Sequence, residues 1–514
     1  MNFSPRRKII SAGMALVTVG IISWACMDRE PAWTCPVPQS AIRTQVLVGG
    51  FDKVDILVVV DNSKSMEEEQ VRLAASFRDL VSSLLDPPQE WQDQDGIQKV
   101  DNIRIAVVTT DMGMDVNEDF QGCDSTLPGG DKGRFQTTGR GTDCAQTYPR
   151  WLETTPENPA EDTLAEDFSC VASVGTEGCG FELQLFAASY ALQRTDQKDF
   201  LRGTSALLAI IVISDESDCS ARPGSDFWKH PEMTPTNSDI NIYCAKYKDD
   251  LIPISDLANN LKKKGDDSGE LLPGSVVFAA IVGVPVVDAC QGNGASLGDC
   301  LNHADMKFVR EEDDQGRGYL KAACVSDSID PETNEPTTEA SPGRRFVMLA
   351  QEFDEYGYIY SICNDDWSPA MKEIAKRIAE SLAGATFEME LEYDDDAKSS
   401  KCDVIFQKFD KSSCPSGLVD MGIIEDQNTG KAHRECKVKP IPHAKQCKAA
   451  EDLSQNKPGW IYCEASAKVK AANPKYGTYN VLLNDEAKKR TMAGGNLWVE
   501  CLTKAEISEG LCPE

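Results

Sequence analysis

Val54-Asp55-Ile56-Leu57-Val58-Val59-Val60 runs without a break into Asp61-Asn62-Ser63-Lys64-Ser65, and the fold is decided there. The first seven residues are almost wholly apolar and rich in β-branched side chains. Such a run, with no polar alternation, reads as a strand buried on both faces, as in a parallel sheet. Residues 66–85 then place Val71, Leu73, Ala74, Phe77, Leu80, Val81, Leu84 and Leu85 at helical spacing. Glu67, Glu68 and Glu69 fall in the first turn, where acids favour the helix dipole.

The alternation continues downstream. Ile103–Val108, Leu207–Ile213, Val276–Val284 and the short Gly357–Ile362 read as further strands. Glu182–Leu192, Leu251–Lys264, Phe346–Phe353 and Ser368–Ala383 read as helices. Buried strands alternating with amphipathic helices predict an α/β domain, doubly wound around a mostly parallel sheet, over residues 51–385. Its excess length sits in three polar, cysteine-bearing insertions, 112–180, 216–250 and 285–340. Beyond 386 the pattern changes. Phe387–Tyr393 alternates with period two, Tyr479–Leu483 and Asn496–Val499 are strand candidates, and turn-forming clusters separate them. Residues 386–514 are therefore predicted to be a small, β-rich, cysteine-rich domain. Asp394-Asp395-Asp396 reads as a solvated turn, and Ser361–Asp366 as a strand end with a disulfide cysteine and a helix cap at Ser368.

The 83 acidic and 52 basic residues give a net charge of -31. That surface repels phosphate backbones, which argues against nucleic-acid binding. The acidity serves solubility or, more specifically, attraction of divalent cations. Nineteen cysteines are spread along the 514 residues with no C-x-x-C pair, which argues against zinc ribbons and thioredoxin-like redox sites and for disulfides in an exported chain. Residues 1–25 have the parts of a signal peptide: basic Arg6, Arg7 and Lys8, then the apolar run Ile9–Ile22. The segment Ser23-Trp24-Ala25-Cys26 resembles a bacterial lipobox, with Ser23 where Leu is usual. That resemblance implies lipidation of Cys26, leaving 18 cysteines for bridges, and a tether over 26–50. An uncleaved anchor, and simple cleavage with a free Cys26, are the competing readings. Met27 rather than Asp after the cysteine implies attachment to the outer membrane.

A catalytic reading finds little support. The four histidines, His230, His303, His433 and His443, form no paired ligand spacing. The one G-x-S-x-G string, Gly294–Gly298, lies in a polar insertion with no strand before it, so Ser296 is not a nucleophile elbow. The expectation is that the protein is not an enzyme.

The chemistry lies in Asp61, Ser63 and Ser65, which offer a carboxylate and two hydroxyls at the carboxyl end of a strand, where open α/β sheets bind ligands. These are hard oxygen donors suited to Mg²⁺, Ca²⁺ or Mn²⁺. The alternative is that they only cap the following helix. The loop is not an EF-hand, since Met66 and Arg72 stand where Gly and Glu are required. The Asp-x-Ser-x-Ser string after an opening strand resembles the metal-ion-dependent adhesion site of von Willebrand factor type A domains. With Val-Val-Thr-Thr-Asp-Met-Gly at 107–113, Gly-Cys-Gly-Phe-Glu at 178–182 and Ser-Asp-Glu-Ser-Asp-Cys-Ser at 214–220, it is similar to the cysteine-rich type A lipoproteins of predatory and gliding bacteria. The resemblance implies an acid from a later strand end, Asp215, and a donor from a later loop, Glu182 in preference to Thr176. Asp111 is either a ligand or a support for the insertion. It also implies a cation with one position left for an acidic side chain of a protein ligand, at a cell surface.

Overall fold

The structure is a computed structural model. It describes residues 41–46, 53–94, 99–100, 102–114, 130–155, 161–202, 206–263, 276–291, 296–331, 333–353, 356–382, 385–387, 391–408, 412–425, 432–448, 456–468 and, except for 485–486, 488–489 and 492–494, 479–502. The signal segment, Cys26 and Cys123 lie outside the described residues.

Six strands form the central sheet: β1 (Val54–Val60), β2 (Ile103–Thr109), β3 (Leu152–Thr154), β4 (Leu207–Ser214), β5 (Val276–Val282) and β6 (Gly357–Ser361). Their order is β6-β5-β4-β1-β2-β3, and all pairs are parallel except β2 with β3. Every residue of β1, β4 and β5 is buried, which is why these strands read as unbroken apolar runs. The chain steps from β1 to β2, then returns across β1 to β4, so the direction of winding reverses beside β1. Such a reversal leaves a crevice at the carboxyl ends of the strands.

Helices α1 (Glu67–Leu85), α2 (Glu161–Ala172) and α6 (Ser368–Leu382) form one packed set. Helices α3 (Gln184–Gln193), α4 (Ile254–Lys262) and α5 (Arg344–Gln351) form another. Helix α4 starts at Ile254 rather than at Leu251, because Pro253 presets the turn before it. The amide and hydroxyl of Ser368 both donate to Asp366, so the cap of α6 belongs to Asp366 and not to Ser368.

The first insertion is more ordered than its composition suggests. It carries β3 and all of α2, and Phe168 of α2 stacks on Phe77 of α1. Cys144–Cys170 staples this insertion, Cys219–Cys244 the second, and Cys290–Cys300 the third. Cys324–Cys363 ties the third to the end of β6, and Cys179 is also disulfide-bonded.

A second, antiparallel sheet has the order Ala41–Val46, Gly495–Leu502, Cys402–Lys408, Ala432–Val438, Val419–Glu425. Part of the segment read as a tether is thus a strand. The middle of the period-two run Phe387–Tyr393, residues 388–390, lies outside the described residues; at its two ends Ala385–Phe387 pairs with Tyr479–Leu483, and Tyr393–Asp394 turns back onto Ser399–Ser400. The exposed Asp395 and Asp396 lie in that turn, as expected. Cys402–Cys501, Cys414–Cys436 and Cys447–Cys463 staple this half of the chain.

Candidate metal centre

Strand register assembles the site. Val60 of β1 lies opposite Thr109 of β2 and Ile213 of β4. The next residue of each strand, Asp61, Thr110 and Ser214, therefore emerges at one edge. All three are fully buried. Asp61 Oδ1 accepts from the Ser63 amide (2.8 Å) and from Thr110 Oγ1 (3.4 Å), and its Oδ2 accepts from Ser214 Oγ (2.5 Å). Ser63 Oγ and Ser65 Oγ lie 3.3 Å apart. Ser63 is buried and Ser65 is exposed, so the pair leads from the sheet to the surface. Neither Ser63 at the start of the short helical turn 64–66 nor Met66 at the start of α1 makes a side-chain capping bond. The hydroxyls are not consumed by the helix.

Asp215 follows Ser214 and is buried, and the Ser65 hydroxyl donates to it. Its Oδ1 has no hydrogen-bond partner among the described residues. Glu216 accepts from Ser341 Oγ (3.0 Å), and the Ser341 amide donates to Asp215 O (2.8 Å), so the third insertion closes over this corner. Glu182, buried just ahead of α3, lies in the field of Asp61, Glu216 and Asp215.

Burial holds all four carboxyls above the usual range, and at Glu182, Asp215 and Glu216 repulsion by neighbouring acids adds to it. Glu216 is pushed up to about 7, by desolvation first and by Asp61 second. Desolvation first, then repulsion by Asp61 at Glu182 and by Glu216 at Asp215, puts both well above ordinary carboxyls. Among the described residues no ion pair to a lysine, arginine or histidine relieves any of them. The other end of β1 is the control: buried Asp55 receives Arg202 Nε (2.8 Å) and the Arg202 amide (2.9 Å). Asp218, three residues past Asp215, likewise has Arg345 at 2.7 Å.

Of the sequence candidates, Asp61, Ser63, Ser65 and Asp215 are linked by these contacts. Glu182 joins them through its charge. No three His, Cys, Asp or Glu side chains among the described residues are placed to hold an ion together, so no all-acid cage is built from Asp61, Glu182 and Asp215. Thr176 makes no described contact with them. Its loop packs on the site through Gly178, whose amide donates to Asn62 O (2.8 Å) and where a Cβ would fall 2.4 Å from the Asn62 side chain. Asp111 supports the insertion: its carbonyl accepts the amides of Asp131 and Lys132, and its Oδ1 that of Gly113. The sequence reading missed Thr110, Ser214 and Glu216. The register of three apolar runs, each ending in a hydroxyl or acid, was the signal for the first two.

The donor set suits a hard divalent cation: two hydroxyls at bonding distance from each other, acids behind them, no base, and one orphaned buried carboxylate oxygen. Ser296 of the G-x-S-x-G string caps the short helix Leu297–Asn302 by accepting the Asp299 amide.

Comparison with protein-family models and with curated proteins gives no match. Among solved structures, proximal thread matrix protein 1 from the mussel byssus aligns at 10% identity and a TM-score of 0.24, over 66% of this chain and 48% of that one. A form of that protein with a zinc-occupied MIDAS motif aligns at 11% identity, a TM-score of 0.24 and the same coverage. The pilus adhesin RrgA from Streptococcus pneumoniae aligns at 10% identity and a TM-score of 0.18, over 91% of this chain and 58% of that one. The chain thus spans about half the length of the thread matrix protein. Likenesses this low bear on neither ligand nor function.

Proposed function

We propose that this chain is an exported, lipid-anchored protein of the bacterial outer membrane. In this reading its α/β body is a von Willebrand factor type A-like domain that binds a protein ligand through a divalent cation. The two helix sets fit the doubly wound arrangement of that fold. Ser63 and Ser65 would hold the cation, with Asp61, Asp215 and Glu182 supplying negative charge around it. Mg²⁺ or Ca²⁺ is the natural occupant, and Mn²⁺ a substitute. Bound there, the cation supplies an electrophilic centre that an acidic side chain of the partner can complete. It would join two surfaces that otherwise repel, which suits a chain of net charge -31. Nothing in the reading calls for catalysis.

One observation carries this proposal. Asp55 at the amino end of β1 and Asp218 beyond β4 have arginine partners, whereas among the described residues Asp61, Glu182, Asp215 and Glu216 at the carboxyl edge have no basic partner, and Asp215 Oδ1 accepts no hydrogen bond. Capture of a partner by the full chain, measured with Mg²⁺, with EDTA and after Mg²⁺ is restored, tests it. Binding that ignores EDTA sinks it. A second reading is that the cation only stiffens the fold, favoured by the way Ser341 pins the third insertion to Asp215 and Glu216. A thermal shift with metal, and no metal-dependent partner, would select that one.

A further inference from the structure

A cavity of about 220 Å³ opens beside the candidate cation site, lined by Met112, Leu183, Phe186, Tyr190 and Trp228, with exposed Lys132 at its rim. Its walls grow from the site itself. Met112 is two residues past Thr110, whose hydroxyl reaches Asp61, and Leu183 follows Glu182. The Leu183 amide donates to Thr110 O (3.2 Å), tying the two walls together. Trp228 comes from the second insertion, held by Cys219–Cys244, and packs against Phe181 and Phe227. An apolar cavity of about 150 Å³ already accommodates benzene. This one has room for a leucine, methionine or phenylalanine side chain.

We propose that this cavity is the second half of the ligand site, and that the partner is a protein segment carrying a bulky apolar residue within about three positions of its metal-binding acid. The inference rests on the metal reading above. Charge selects this occupant: the cation is positive, and exposed Lys132 is the one charged residue lining the cavity among the described residues, so an acidic segment is drawn in and its apolar neighbour is buried. An extended segment advances about 3.3 Å per residue, which spans the step from Thr110 to Met112 in two to three residues. The acid supplies attachment, and the apolar side chain supplies discrimination among acidic partners.

Fluorescent peptides test this on the full chain in Mg²⁺: one glycine-rich peptide with Asp and Phe two residues apart, and one with Ala in place of Phe. The Phe peptide is expected to bind at least about tenfold tighter, as burial of an aromatic side chain implies. Met114→Trp, which fills the cavity from a half-buried position, should abolish that preference while Mg²⁺ alone still raises the melting temperature. Tyr190→Ala, at a 40% exposed wall position, should weaken the preference without touching the metal shift. Equal binding of both peptides, or a Mg²⁺ shift with no peptide bound, overturns the cavity proposal and leaves the metal reading standing. Absence of any Mg²⁺ shift overturns both.

Discussion

Asp215 is buried beside Asp61, Glu182 and Glu216 and has an oxygen with no partner, so its charge is an expense to the fold until a cation arrives. Asp215→Asn should therefore stabilise the metal-free protein by about 1 kcal/mol at pH 8 and erase the Mg²⁺-induced rise in melting temperature. Denaturant melts with and without EDTA check both halves. The same cluster sets a pH dependence. Its carboxyls titrate higher folded than unfolded, so the folded protein holds extra protons. Metal-free stability should be full below the ordinary carboxylate range, then decline as pH rises through about 7, where Glu216 ionises. Chemical denaturation at pH 5 and pH 8 in EDTA should show the loss, on the order of 2 kcal/mol, and saturating Mg²⁺ should flatten it. Asp61, Ser63, Ser65 and Asp215 were legible in the sequence because each follows an apolar run. Glu216 was not, since an acid next to another acid reads as solvated until burial is known.

Strands β1, β4 and β5 were read within a residue or two, because burial on both faces leaves only apolar side chains. Helix α2 was missed. Its sequence, residues 161–172, mixes acids with apolar residues inside a stretch dominated by glycine and threonine, and its partner surface on α1 lies some 80 residues away. Two element-level outcomes follow. Asp55→Ala strips the half-buried Arg202 of its ion pair at the amino end of β1 and should cost about 3 kcal/mol, read as a lowered denaturation midpoint. The outer strand Val419–Glu425 leaves Met421, Ile423 and Ile424 exposed, and carries a bulge at Asp420–Gly422 and the Arg434–Asp420 pair, features that disfavour pairing of sheet edges. Gly422 has φ +99, which only glycine adopts without strain. Gly422→Val should therefore straighten the edge or strain it, and raise the fraction of soluble aggregate in light scattering.

Seven bridges have both cysteines among the described residues, they serve both halves of the chain, and none of the seven joins residues of the candidate metal site. Among these seven, Cys402–Cys501 closes the longest loop, with a sequence separation of 99, for which loop entropy alone gives about 4–5 kcal/mol. Reduction should melt the second sheet first, while the Mg²⁺ response of the central sheet persists at lower temperature; two-step calorimetric traces before and after reduction would report it. The α/β alternation made the first body readable, but the strand Ala41–Val46 was not, because its partner Gly495–Leu502 lies at the far end of the chain and no local pattern announces such a pairing.

That strand is followed, after residues 47–53, by β1, which lies between β4 and β2 and leads directly into Asp61. Suppose the chain is held at its amino-terminal side while a ligand tugs at the cation. Tension then runs lengthwise down β1, and the hydrogen bonds to both flanking strands resist together in shear instead of peeling one at a time. A fastening built this way would yield at the ligand before it yielded at the fold.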